Sequence, residues 1–173
     1  MLAFLSLVAL AILIGLGLFI TVTFHELGHA FAALLLTDDE VTVHVGSFGN
    51  PYNSFNVKIG RIDFYCTKNP LLWYKGCCLC SDDYMSLNER IWLVAAGPIA
   101  SVLETVLTWY LIGSLQDNDF LRILFGSILV MSLGATAYSL IPNPSPRYTS
   151  SGYAIYSDSY EIIRLLRIKR RGY

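Results

Sequence analysis

From residue 2 to residue 36 the chain is almost uninterruptedly apolar, and two further apolar stretches follow at residues 91–113 and 120–141. A hydrocarbon core about 30 Å thick asks for ~20 helical residues, so each stretch predicts a membrane-spanning helix. The first stretch exceeds that length and is expected to tilt, break or continue below the membrane surface, with Gly28 the expected point of irregularity. It is also too long for the core of a signal peptide, has no Lys or Arg ahead of it and no small-residue cleavage pattern behind it, so it is expected to stay attached. Only residues 114–119 separate the second and third stretches, which predicts an antiparallel helical hairpin.

Between the first two spans, residues 37–90 follow a different rhythm. Residues 41–45 (Val-Thr-Val-His-Val) and 56–59 (Asn-Val-Lys-Ile) alternate as strands do, with the turn formers Gly46, Gly49, Asn50 and Pro51 between them. A small β-hairpin or sheet is predicted. Its open edge could take up an extended peptide by strand addition, or the sheet could simply cover the membrane surface. Pro70-Leu71-Leu72-Trp73-Tyr74 has the aromatic character of the headgroup level. After the third span, Asn143, Pro144 and Pro146 forbid regular helix, and a short final helix is predicted from Asp158 through Glu161 to Arg170.

Charge gives the orientation. Lys58, Arg61, Lys68, Lys75 and Arg90 fall in the insert, and Arg164, Arg167, Lys169, Arg170 and Arg171 close the sequence, whereas the link between spans two and three holds only Asp117 and Asp119. By the positive-inside rule the insert and the last helix face the cytoplasm, and the expectation is an integral protein of the plasma membrane. Composition agrees: 54% of the 173 residues are hydrophobic and 14% charged, against about 25% charged in soluble domains. A net charge of −1 without a basic stripe sets nucleic acid aside as a partner. The fold class is therefore an α-helical polytopic membrane protein, one unit over residues 1–173, with three spans, a short C-terminal helix and a small β insert.

The first span carries His25-Glu26-Leu27-Gly28-His29, an HExxH motif. Positions four apart share a helix face, so both imidazoles point at one spot with Glu26 beside it. Two neutral imidazoles suit zinc, and an unligated carboxylate suits a base acting on water. In a soluble helix two such histidines could just as well cap or pair with neighbours. In lipid a charged side chain costs roughly 2.5 kcal/mol or more near the bilayer centre, so ionisable residues there point to function.

A catalytic zinc takes three protein ligands and keeps one position open. The spacing of the third histidine in related soluble motifs falls on Leu35, and His44 reads as an exposed strand residue. Asp158 is the acid best placed to return to the site, although an acid at a helix start also has an ordinary capping role. Glu104, in the second span, could be a ligand, a partner for a polar group on the third span, or an acid near the outer interface. Gly97 and Ser101, in the same span, have the small-xxx-small spacing that lets helices approach closely in lipid. Cys66, Cys77, Cys78 and Cys80 all lie in the insert; Cys77 and Cys80 form one CxxC where a zinc ribbon needs two, and free thiols are expected.

The HExxH in a first membrane helix, the span with Gly97-Pro98, and Asn143-x-x-Pro146 followed by Asp158 together resemble the site-2 protease family of intramembrane metalloproteases. The resemblance covers most of the chain outside the insert. The chain departs from the family pattern at Ser101, where Asn is common, at Ser159, where Gly follows the ligand Asp, and in its longer gap from Asn143 to Asp158. The resemblance implies one zinc ion (Zn2+) held by His25, His29 and Asp158, Glu26 as catalytic base, and Asn143 near the bound peptide or the oxyanion. It implies a membrane-protein substrate cut in or near its transmembrane segment. The rival reading is a zinc-binding membrane protein that regulates or binds a partner without proteolysis. A transporter would show paired repeats, which the sequence lacks.

Overall fold

The computed structural model describes residues 1–115, 118–150 and 152–172, so Asp117 of the predicted polar link lies outside the described residues. Four α-helices and two small sheets are formed: α1 (Leu2–Leu36), α2 (Leu87–Ser114), α3 (Asp119–Leu140) and α4 (Asp158–Arg170), with β1 (Val41–Val45), β2 (Ser54–Ile59), β3 (Ile62–Thr67) and β4 (Gly76–Leu79) inserted between α1 and α2, and β5 (Arg147–Tyr148) and β6 (Ala154–Ile155) between α3 and α4. Three of the helices, α1, α2 and α3, are long and apolar enough to cross a membrane, and they pack against one another.

The side-chain distribution of this bundle is inverted relative to a water-soluble one. Phe4, Leu7, Ile12, Leu103, Val106 and Trp109 are exposed, while Thr21, Ser101, Ser132, Glu104 and Thr108 are buried between the helices. Contiguous exposed apolar surface on this scale needs a covering, and helices of this length and composition suit lipid. The buried polar groups satisfy one another: Thr21 donates to Glu104 at 3.1 Å, and Thr105 donates to Ser132 at 3.0 Å. Glu104 thus finds its partner on α1, not on the third span as the sequence allowed, and Glu104 Oε2 is left without one among the described residues.

α1 runs unbroken through Gly28, contrary to the irregularity expected there. The glycine serves close approach instead: a Cβ at this position would lie 2.6 Å from both the Ala96 carbonyl oxygen and the Ala100 methyl of α2. α2 opens with a capping box, Ser86 with Glu89, four residues before the apolar run begins at residue 91, and carries Pro98 in its interior. The proline lacks the N–H that would close on the Val94 carbonyl, one residue after Leu93.

The insert is a four-stranded sheet in the order β2-β3-β1-β4. The sequence allowed a hairpin or a sheet here, and a sheet is formed. β2 pairs with β3 antiparallel across Gly60-Arg61, with Ile59 opposite Ile62, and β1 pairs with β3 in parallel and with β4 antiparallel. The two-residue turn, with Gly60 at φ 59°, wins because it closes a hairpin with less chain than residues 46–53 would. Arg61 then donates to the Leu34 and Thr37 carbonyls, at 2.8 and 2.5 Å, and satisfies the end of α1, whose last turn has no basic residue of its own. Ala30 and Ala33 of α1 and Val41 and Val43 of β1 form the sealed core that fixes the sheet on the helix.

His44 is buried, not exposed as the strand pattern implied; its Nδ1 lies 2.7 Å from Ser47 Oγ and its ring stacks on Tyr65. Burial pushes its imidazole from the ordinary 6.5 down to about 4. The unfolded chain therefore binds a proton that the folded one refuses between those values, and stability present above pH 6.5 is lost as pH falls towards 4. His44→Gln is expected to flatten the fall in thermal stability between pH 7 and pH 5 measured by scanning the detergent-solubilised protein. Gly28→Ala gains about 1 kcal/mol of helix propensity, but its methyl meets backbone that cannot yield, and overpacking costs about 1–3 kcal/mol. A lowered melting temperature is the expected outcome.

Candidate metal centre

His25 and His29 lie one turn apart on α1, and each is fixed by a group of α2. His29 Nδ1 donates to the Leu93 carbonyl at 2.8 Å, which gives the neutral ring a lone pair on Nε2. His25 Nδ1 is hydrogen-bonded to Ser101 Oγ at 2.9 Å. α1 and α2 run antiparallel here, so Ser101 faces His25 while Gly97, one turn back, faces His29. A Cβ at Gly97 would fall 2.1 Å from His29 Nε2, so the absence of a side chain is what lets the imidazole lie against α2.

The third group arrives from the other end of the sequence. Asp158 is the first residue of α4, and its carboxylate sits 3.0 Å from His25 Nε2 and 3.5 Å from His29 Nε2, while the two Nε2 atoms are 3.2 Å apart. Burial by itself raises the Asp158 carboxyl, but its hydrogen bonds with His25 and His29 outweigh that and hold it below the usual carboxylate range. Among the described residues this is the one group of His, Cys, Asp and Glu side chains that could hold a metal ion. The fit is good on two counts. Donor atoms at the corners of a tetrahedron around an ion with bonds of about 2.0–2.1 Å stand roughly 3.3 Å apart, close to the spacing here. The second count is electrostatic: lone pairs of His29 and Asp158 face one another across a gap that only a proton or a cation makes favourable.

Glu26 is buried beside the histidines and has no hydrogen-bond partner among the described residues. Gly76, at the start of β4, makes room for it, since a Cβ there would lie within contact of its Oε1 and Cγ. All four side chains, His25, Glu26, His29 and Asp158, line a cavity of about 880 Å³ between α1, α3, β4 and α4.

Asn143 is placed differently. It is exposed, its side chain accepts from the Ser145 N–H at 2.9 Å, and its backbone N–H donates to Ser157 Oγ at 2.7 Å. It therefore reaches the centre through Ser157, the N-cap of α4, and so fixes where Asp158 begins its helix. The β5–β6 hairpin between them docks on the insert, where Ser150 donates to the Gly49 carbonyl and Arg147 lies over the Phe48 ring at 5.1 Å.

Several residues of the site carry no motif in the sequence. Ser101 and Gly97 show only small-residue spacing, although their separation equals that of the two histidines they face. Leu93 contributes a backbone carbonyl, which no side-chain pattern announces. Arg147 lines the cavity with Glu26 and makes no ion pair within 4.0 Å among the described residues. The four cysteines are free thiols; Cys77, Cys78 and Cys80 line the cavity, and burial pushes Cys77 up to about 12 and Cys80 up to about 11. They are protonated at neutral pH and are poor nucleophiles.

No protein-family model matches the chain, and no curated protein sequence matches it.

Removing the partner of a ligating imidazole typically weakens metal affinity about 10–100-fold. Ser101→Ala is expected to fall in that range for zinc in a chelator competition. Gly97→Val is expected to abolish binding, because its side chain would occupy the position of the His29 ring.

Proposed function

We propose that this chain is a zinc-dependent intramembrane peptidase of the site-2 protease type, which hydrolyses a peptide bond in or beside a membrane-spanning segment of another protein. The observation that carries this reading is the convergence of His25, His29 and Asp158 from opposite ends of the sequence, with Glu26 unligated at the same cavity. Two imidazoles and one carboxylate are the donor set of an open, catalytic zinc site, whereas structural sites close with four protein ligands.

Bound zinc supplies Lewis-acid polarisation of a carbonyl and lowers the pKa of water toward ~7. Glu26 takes the proton from the attacking water and passes it to the leaving amine. The Arg147 guanidinium is the cation on hand for charge developing on the carbonyl oxygen. A helical substrate hides its peptide bonds, so the cleaved segment must be extended in the site. β4 supports this step: it is an edge strand of the insert, and it lines the cavity. A sheet that merely covered the membrane surface would not need to bring its terminal strand against Glu26. The basic residues of the insert and of α4 support a site toward the cytoplasmic side, about 10 Å below the surface given the seven residues from Ala30 to Leu36 at ~1.5 Å each.

The test is cleavage of a panel of tagged single-span membrane proteins by wild type and by Glu26→Gln, with zinc measured in both. Expected are cleavage by wild type, a loss of about 100- to 10,000-fold in the variant, and equal zinc content. Zinc in both forms with no cleavage of any target would favour the rival role, a zinc-binding regulator or partner protein. Wild type without zinc would remove both readings.

A further inference from the structure

The cations of this protein are not treated alike. Lys58 pairs with Glu40 and Asp63, Arg90 with Asp82, Arg122 with Asp119, and Arg61 with Asp38 and the end of α1. On α4, Arg164 is held by Glu161, but beyond it Arg167, Lys169, Arg170 and Arg171 follow within five residues, all exposed and none with a carboxylate partner among the described residues. Arg167 and Arg171 stand one turn apart on one face, where like charges repel unless an anion lies between them. That face is hollow. Tyr160, Ile163, Arg164, Arg167, Ile168 and Arg171 line a cleft of about 210 Å³ that adjoins the metal cavity at Arg164. Its volume is below the roughly 300 Å³ at which drug-sized pockets begin, and its walls combine guanidinium groups with aliphatic and aromatic surface.

The placement of α4 narrows the ligand. Its first residue, Asp158, lies at the depth of His29, whose ring is tied to Leu93, six residues inside α2. Its far end is tied to the beginning of α2, where Lys169 donates to Asn88 at 2.7 Å. The helix thus climbs from the metal centre to the end of a membrane-crossing segment, which sets its unpaired cations at the level of lipid headgroups. Arginine is the side chain best suited to a phosphate, because its planar fork binds two oxygens at once.

We propose that the cleft on α4 binds the phosphate of an anionic phospholipid, and that its occupancy holds Asp158 in place at the metal centre. α4 is one continuous helix of 13 residues, so a restraint on its last turn is a restraint on its first. The segment before it is secured mainly by Asn143 to Ser157 and by the β5–β6 hairpin on the insert. Lipid at the cleft adds a second anchor at the other end, beside the single hydrogen bond from Lys169 to Asn88. The proposal uses the metal centre but not peptide hydrolysis.

The experiment places the full chain in bilayers of phosphatidylcholine with or without phosphatidylglycerol and measures zinc affinity by chelator competition, with retained lipid counted by native mass spectrometry. Wild type is expected to hold a phosphatidylglycerol molecule and to bind zinc on the order of tenfold more tightly in its presence, the size of effect seen when a ligand loses its support. The double variant Arg167→Gln/Arg171→Gln alters exposed side chains outside the metal centre; it is expected to keep its zinc affinity in phosphatidylcholine and to lose the lipid effect. Equal affinity in the two bilayers overturns the proposal. So does an equal gain in the double variant, since that is zinc concentrated by an anionic surface. Inorganic phosphate reproducing the gain in pure phosphatidylcholine assigns the cleft to a free anion and overturns the lipid. A chain that shows the lipid effect yet cuts no substrate leaves this inference standing and removes the peptidase reading alone.

Discussion

An imidazole set in an apolar helix must hand each of its two nitrogens to something, because lipid offers no water to satisfy them. Here α1 presents two imidazoles on one face, and the rest of the bundle is arranged around their four nitrogens. The Nδ1 atoms go to α2, one to the Leu93 carbonyl and one to Ser101. The Nε2 atoms are left facing each other and Asp158 of α4 at 3.0–3.5 Å. Every helix contact near the site follows from that requirement: α2 must come close enough for a backbone carbonyl to meet a side chain of α1, and only Gly28 and Gly97 make the approach sterically possible.

The same need to satisfy polar groups explains why α2 is not a plain membrane helix. Pro98 removes one ladder hydrogen bond next to Leu93, whose carbonyl meets His29, and Ser101, Glu104 and Thr105 keep polar side chains toward α1 and α3. The insert completes the arrangement from the other side. Its sealed contact of Val41 and Val43 with Ala30 and Ala33 fixes β1, β4 is carried alongside, and Gly76 then opens space for the Glu26 carboxylate. A carboxylate with no hydrogen-bond partner among the described residues is thereby held beside the two imidazoles by packing.

Much of this was legible in the chain. Span lengths, the helical face shared by His25 and His29, the loop broken by Pro144 and Pro146, and a helix starting near Asp158 all rest on local rules of length, periodicity and backbone conformation. The misreadings share a cause as well. His44 alternates correctly but sits on the face that Tyr65 covers, and Gly28 was a place of contact, not of bending. In each case the local signal was present and its meaning depended on a neighbour distant in sequence.

What the sequence by itself determined is therefore the set of apolar helices and the pair of imidazoles on one helix face, since hydrophobic length and a four-residue period are properties of a segment taken alone. What only the tertiary structure decided is which groups complete the site. Leu93 contributes a carbonyl that every residue possesses, Ser101 and Gly97 matter because of the antiparallel crossing of α1 and α2, and Asp158 becomes a ligand candidate because Asn143 and Ser157 bring the start of α4 back to α1. Those roles depend on distances between segments, and such distances are set by packing.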